Sequence, residues 1–282
     1  MATGELDLSI VVSWRDRGEL DRALPSMQAC AAAHRGEVVV VNFGGDPRWL
    51  KAQIGDRPDV RVVEVDNQPY FNKPKAQNLG ARHGRGRFLF FCDCDILLDV
   101  ATFGDLLDAV RSTSGTFGTF ARVKETELNS RGARFISSFG YELRLKTADN
   151  RSVQIVDHEE DAQDGGRMAP GLLLVNRHSF EEIDGYNSQL DGWGWEDQDM
   201  ICRLTLGAGL TRINRGHALH ISHDDVARVQ GYPAKNRWES RDRMFRRALA
   251  NYDQANFRGT FLRDVEAMAA HVRDLPSPSA AL

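Results

Sequence analysis

No stretch of this 282-residue chain approaches the roughly 20 consecutive apolar residues that a membrane-crossing helix needs. The opening "MATGELDLSIVVSW" has no basic segment before its short apolar run and no small-residue cleavage site, so a secretory leader is not expected. Positive charge is not in excess: 36 Lys and Arg face 40 Asp and Glu, a formal net charge of -4. No basic run is interleaved with aromatics, which argues against a nucleic-acid partner. There are only four cysteines. Cys92 and Cys94, two apart in an apolar run, point to one side of a strand, and Cys30 and Cys202 stand alone, a pattern of reduced buried thiols. These absences describe a cytoplasmic protein without a transmembrane segment. Nor is there an internal repeat or a long low-complexity linker, so one domain over 1–272 is expected, with 273–282, "DLPSPSAAL" in large part, as a disordered tail.

What is present begins as a strand and helix alternation. "LSIVVSW" (8–14), "GEVVVVNF" (36–43) and "VRVVEV" (60–65) are short β-branched runs, and "LDRALPSMQACAAAH" between the first two has helical spacing. "NKPKAQNLGARHG" (72–84) reads as a helix capped by Asn72, with Pro74 in its first turn and Gly84 as its stop. "RFLFFCDCDILL" (87–98) reads as a buried strand entering an acidic turn. This is the α/β pattern of a Rossmann-like, mostly parallel central sheet flanked by helices, which binds ligands at the carboxyl ends of its strands. After a helix near 101–112 the pattern changes. "TFGTFARV", "ARFISSFGYELRL" and "GLLLVN" read as strands, "DHEEDAQDGGRM" (157–168) as an acidic loop, and "RHSFEEIDGY" as a helix. A further helix starts inside an acidic cluster at 197, "GLTRINRG" and "ALHISHDD" give a last strand or strand pair, and 233–272 is helical in pattern.

Four groups could carry chemistry. Asp93 and Asp95 end an apolar strand, where ionised carboxylates are costly unless a cation neutralises them, and oxygen ligands suit Mg²⁺ or Mn²⁺. The alternative is that they cap the helix near 101. His217, His220 and His223 follow far along the chain. Their spacing alternates faces on a strand, so a turn at 220–225 is needed for two of them to reach one ion, and packing is the alternative. "DGWGWEDQDM" (191–200) sets Trp193 and Trp195 among glycines beside Glu196, Asp197 and Asp199. Aromatic faces stack on sugar C–H faces and carboxylates accept from hydroxyls, so this stretch suits carbohydrate recognition. The plainer alternative is core rings followed by a helix cap. Arg15, Arg17, Lys73 and Lys75 are expected at the same sheet edge, where cations suit a phosphorylated ligand.

"SWRDRGELDRAL", "YFNKPKAQNLG", "FFCDCDIL", "PGLLLVNRHSFEEIDGYNSQLDGWGWEDQDMICRL" and "LHISHDD" resemble, in order and spacing, the blocks of the metal-dependent β-1,4-galactosyltransferases and their relatives with the GT-A fold. The resemblance covers about residues 8–225. It implies a nucleotide-sugar half over about 8–100, an acceptor half over about 101–272, a UDP-sugar donor and a Mn²⁺ or Mg²⁺ cofactor. Residue by residue, it implies Arg15, Arg17, Phe71, Lys73, Gly171 and Trp193 toward the donor, and Asp93 toward the donor's ribose side or the ion. It implies Asp95, His223 and His220 toward the metal, Asp197 as the base and Glu196 placing the donor sugar. Trp195 and Gln198 would face the acceptor, a saccharide, glycolipid, peptide or small molecule.

Two departures stand out. The family's W-G-G-E-D-D-D is W-G-W-E-D-Q-D here, so Trp195 replaces a glycine and Gln198 an acid linked to acceptor recognition. The animal relatives are anchored, disulfide-bonded Golgi proteins, and the lack of both features here suits a bacterial cytosolic relative. The expected activity is inverting transfer of a hexose or N-acetylhexosamine. The alternatives are a retaining transferase resembling the polypeptide N-acetylgalactosaminyltransferases, or a non-catalytic carbohydrate-binding module on the same fold.

Overall fold

The protein is described by a computed structural model over residues 6–57, 59–128, 135–224, 226, 229–233 and 236–275. Its frame is set by β1 (Leu8–Trp14), buried along its whole length between two parallel neighbours, β2 (Gly36–Phe43) and β4 (Phe88–Asp93). β3 (Val60–Val65) extends the parallel set beyond β2. Side chains alternate across a strand, and here the alternation divides two cores. Ile10 and Val12 face α1 (Leu20–Ala33) and α4 (Val100–Ser112), meeting Leu24, Met27, Leu106 and Leu107. Val11, Leu89 and Phe91 face the other way, onto Phe180, Tyr186, Ile201 and Leu204. Both faces are covered, which is why these strands read as continuous apolar runs.

Among the described residues the main sheet has ten strands. β9 (Gly166–Asn176) is antiparallel to both β4 and β6 (Thr116–Glu125) and so joins the parallel half to the rest. β10 (Thr211–Asn214) and β11 (His217–His220) run parallel to successive parts of β6, and the two-residue β5 (Ile96–Leu97) closes that edge against β11. The remaining elements are α2 (Pro47–Ile54), α3 (Lys73–His83), α5 (Arg177–Glu182) and α6 (Glu196–Cys202), which continues as a π-helical turn, Arg203–Gly207. α7 (Arg237–Asp253), α8 (Phe261–Met268) and β12 (Val272–Leu275) follow. The α/β expectation therefore holds, with a mixed, largely parallel sheet. No helix among the described residues is long and apolar enough to cross a membrane.

Three local expectations need correction. Of the strand expected over 133–145, residues 133–134 lie outside the described residues, and the strand described there is Gly140–Lys146, β7, which pairs with a strand the sequence reading omitted, β8 (Ser152–His158). The supposed loop 157–168 thus gives its first two residues to β8 and Gly166–Met168 to β9; their polar side chains sit at strand ends, where a polar run resembles a loop. The helical stretch 233–272 is two helices, and 272–275 is an antiparallel edge strand on β3. Residues 273–275 accordingly belong to the sheet, while 276–282 lie outside the described residues.

Candidate active site

The carboxyl ends of β1 and β4 open into a cleft completed by β9, α6, β11 and α7, and the residues that the resemblance assigns to donor, acceptor, metal or catalysis all line it, whereas Lys75 and His217 do not. The chain beyond each strand end explains the convergence. β4 stops at Asp93, the turn carries Asp95 inward, and Asp99 rather than either of them caps α4 by accepting from Thr102 N. The capping alternative for Asp93 and Asp95 therefore fails.

Asp95 is 5% exposed. Its Oδ2 lies 3.0 Å from Arg17 Nη2, 3.3 Å from His223 Nε2 and 3.5 Å from His220 Nε2, while its Oδ1 is buried without a hydrogen-bond partner. β11 ends at His220, and the turn that follows brings His223 alongside with ring centroids 5.0 Å apart. His217 is exposed and is not part of the group. His220 Nδ1 sits 2.7 Å from Glu125 Oε2 and His223 Nδ1 2.8 Å from the Asp224 carbonyl. Both neighbours can only accept, so each Nδ1 carries a proton, and in the neutral rings both Nε2 lone pairs face Asp95. Two lone pairs and a carboxylate directed at one point repel unless positive charge, a metal ion or protons on the rings, lies between them. The three ligand atoms fall within 4.8 Å of one another, and a set of one oxygen and two imidazole nitrogens fits a divalent ion. Glu125 supplies the carboxylate that orients a ligating histidine. Burial would raise the Glu125 carboxyl, but the bond and charge of His220 and the Arg167 guanidinium outweigh it and bring it to about 2. Burial opposes ionisation of Asp95 too, yet protonated His220 and His223, standing where a metal ion otherwise would, and Arg17 hold its carboxyl well below the usual range.

Across the cleft, α3 presents Lys73 from its first turn. Asn72 caps the helix by accepting from Lys75 N and donates to the Ser188 carbonyl. Lys73 Nζ is 2.8 Å from Asp93, 3.2 Å from Asp197 Oδ2 and 3.6 Å from Glu196. Burial disfavours its charge, but the three acids overcome that and raise it well above the ordinary lysine value. In this state the ammonium is thus engaged by carboxylates. Burial is also the largest influence on the acids. It raises Asp197 against the pull of Lys73, and with repulsion from Asp197 it raises Glu196 to about 7. Neither acid caps α6 with its side chain: the N-cap position is Trp195, in a left-handed conformation (φ 75°). Asp197 has room because β9 carries Gly171 opposite it, where a Cβ would lie 2.5 Å from Asp197 Oδ2.

The two tryptophans separate. Trp195 is 3% exposed and packs edge-on to Phe245, ring centroids 4.6 Å apart, in a core cluster with Leu190, Met244 and Ala248. Trp193 is half-buried on the cleft wall, with Arg237 over its ring at 6.0 Å. The glycines beside them serve a close approach to α7: Trp193 N donates to Ser240 Oγ at 2.8 Å, and a Cβ on Gly192 would meet that hydroxyl at 2.6 Å. At the nucleotide end, Arg15 reaches the Pro69 carbonyl, and Phe71 packs against Phe43 and Tyr232 with its N–H on the Gly231 carbonyl. Gln198 donates to Asp157 at 3.2 Å. Sequence reasoning missed Glu125, Asp157, Tyr232 and Arg241, which also belong to this site or its support. A polar residue ending an apolar strand, as with Asp95, was the one available signal for Glu125. All four cysteines are buried and free.

A GT-A frame with an acid and histidine group facing a buried acid cluster is that of a sugar-transfer enzyme. The chain belongs to the glycosyltransferase-like family 2, whose profile matches residues 27–215. It is similar to polypeptide N-acetylgalactosaminyltransferase 3 of Drosophila melanogaster, 25% identical over 205 residues that cover 66% of this chain and 30% of that protein. It is also similar to the putative polypeptide N-acetylgalactosaminyltransferase 13 of the same fly, at 21% over 229 residues, 74% of this chain and 40% of that one. The chain therefore spans less than half the length of these curated relatives. Among solved structures it is similar to GalNAc-T7 crystallised with UDP, GalNAc and Mn²⁺, with a TM-score of 0.58, 15% identity, and coverage of 88% of this chain and 48% of that one.

Proposed function

We propose that this glycosyltransferase is metal-dependent and inverting, and that it moves a hexose or N-acetylhexosamine from a UDP-sugar to an acceptor hydroxyl, residues 8–100 forming the nucleotide-sugar half and 101–272 the acceptor half of one domain. The observation that carries this is the opposition, in one cleft, of two imidazole lone pairs converging on Asp95 and a buried acid cluster gathered on Lys73. Asp95, His220 and His223 would hold Mn²⁺ or Mg²⁺, which when bound offsets the charge of a departing diphosphate. The GT-A likeness to a structure described with UDP, GalNAc and Mn²⁺ supports this donor and this ion, and the motif order supports kinship with the β-1,4-galactosyltransferases.

Asp197 is the general base. Burial raises its carboxyl toward the range where it can take a proton, and Lys73 beside it keeps the anion in place. Glu196 holds a donor hydroxyl, Asp93 and Arg15 face the nucleotide, Phe71 packs against its base, and Trp193 flanks the sugar. Arg17, now on Asp95 and Glu19, and Lys73 are the cations available to phosphate oxygens. Gln198, with Trp195 behind it, borders the acceptor, whose class spans saccharides, glycolipids, peptides and small molecules.

Asp197→Asn keeps size and most hydrogen bonds but cannot take the proton. Transfer is expected to fall roughly 10²–10⁴-fold while UDP binding survives. NMR of the product linkage completes the test: a β-linked product from an α-linked donor supports inversion, and an α-linked product overturns it. The second reading is a retaining transferase, which the likeness to polypeptide N-acetylgalactosaminyltransferases favours, and an α-linked product would select it.

A further inference from the structure

The β7–β8 hairpin ends in a carboxylate that its packing does not require. Register pairs Tyr141 with Asp157, Leu143 with Ile155 and Leu145 with Val153. Alternation puts all six on the hairpin's inward face, where Val153 and Ile155 are buried in the core and Leu143 and Leu145 pack against it. The fifth and sixth residues, Tyr141 and Asp157, end this apolar row at the cleft, which Asp157 lines. An acid there costs desolvation that an apolar residue would not. Its two hydrogen bonds, from Tyr141 Oη at 3.1 Å and Gln198 Nε2 at 3.2 Å, both fall on Oδ2, and Oδ1 accepts from no described residue. Nor is Oδ1 among the buried unsatisfied atoms, so it opens on the cleft.

Asp157 and Asp197 line the same cleft, and the charge of Asp157 is among those that act on the Asp197 carboxyl, so Asp157 lies near the point where an attacking hydroxyl would lose its proton. We propose that Asp157 is an acceptor-specificity residue that receives, through Oδ1, a hydrogen bond from a second hydroxyl of a neutral saccharide acceptor. Tyr141 and Gln198 are the positioning residues that fix its other oxygen. Position 198 contributes an amide rather than a carboxylate, and the hairpin brings the carboxylate to it from another element. Both partners of Oδ2 are neutral, and although burial raises the carboxyl, the Tyr141 hydrogen bond and the nearby Arg241 and Arg167 guanidinium groups pull it the other way, so Oδ1 stays an acceptor that a hydroxyl can meet.

This rests on the transferase reading, and the experiment separates the two. Metal-dependent UDP binding is measured by calorimetry, and steady-state transfer is measured from UDP-sugars to a panel of free and p-nitrophenyl monosaccharides. Asp157→Asn, which preserves volume, is expected to raise the acceptor KM roughly 10- to 100-fold, the range for losing a hydrogen bond to a charged group, with donor KM and UDP affinity within about twofold. An unchanged acceptor KM overturns the role of Asp157, and so does an equal rise in donor KM. If wild type binds UDP but transfers to no saccharide of the panel, the acceptor class is overturned. Absence of UDP binding in wild type instead removes the transferase reading itself. Should Asp157→Asn fail to fold, Tyr141→Phe loosens Oδ2 and is expected to raise the acceptor KM severalfold, and an unchanged value again overturns the proposal.

Discussion

Glu196 and the two tryptophans separate structural from chemical roles most clearly. The Glu196 carboxyl is raised from 4.5 to about 7 by burial and by Asp197. Its folded value exceeds its unfolded one, so the folded state holds an extra proton between those limits, and stability falls as pH rises through that window, by up to about 1.4 kcal/mol per unit. Glu196→Gln cannot lose a proton. Its melting temperature relative to wild type is expected to climb between pH 5 and pH 8, and a constant difference across that range would show that Glu196 is not strained. Trp195→Ala empties a ring site that is 3% exposed and is expected to cost about 3–5 kcal/mol. Trp193→Ala, on the cleft wall, is expected to lower turnover far more than melting temperature; chemical denaturation beside kinetics reads both. The sequence marked these rings as a pair because both sit among glycines. Which one turns inward depends on α7, forty residues on, whose Phe245 and Met244 receive Trp195.

At the scale of elements, the strands of the first hundred residues and the cap of α3 were legible because local chemistry determines them: β-branched runs buried on both faces, Asn72 and Pro74 at a helix start. β8 was not, since its alternation ends in Asp157 and His158, whose placement depends on pairing with β7. β12 was hidden for a similar reason, being an edge strand whose charged residues pair with Arg61 and Asp66. The junction of β9 with α6 makes its own prediction. Gly171→Ala would drive a methyl into the Asp197 carboxylate, a movable side-chain tip rather than backbone. Transfer is therefore expected to drop by at least tenfold, as for a misplaced catalytic group, with little change in melting temperature. Full activity in this variant would mean that Asp197 need not occupy the observed position.

For the molecule as a whole, the chain folds so that residues from positions 13 to 241 meet in one cleft. The candidate residues could be chosen from motif order, but their supports could not. Glu125 lies 95 residues from the His220 it orients, and no local pattern announces such a pair. The convergence of Asp95, His220 and His223 is the feature on which the functional account depends, because two lone pairs and a carboxylate meet there with a buried oxygen left unsatisfied. Calorimetry of UDP binding with and without Mn²⁺, on wild type and Asp95→Ala, tests it most directly. The account predicts UDP binding in wild type that requires the ion and is lost in the variant, whereas equal affinity with and without Mn²⁺ would contradict it.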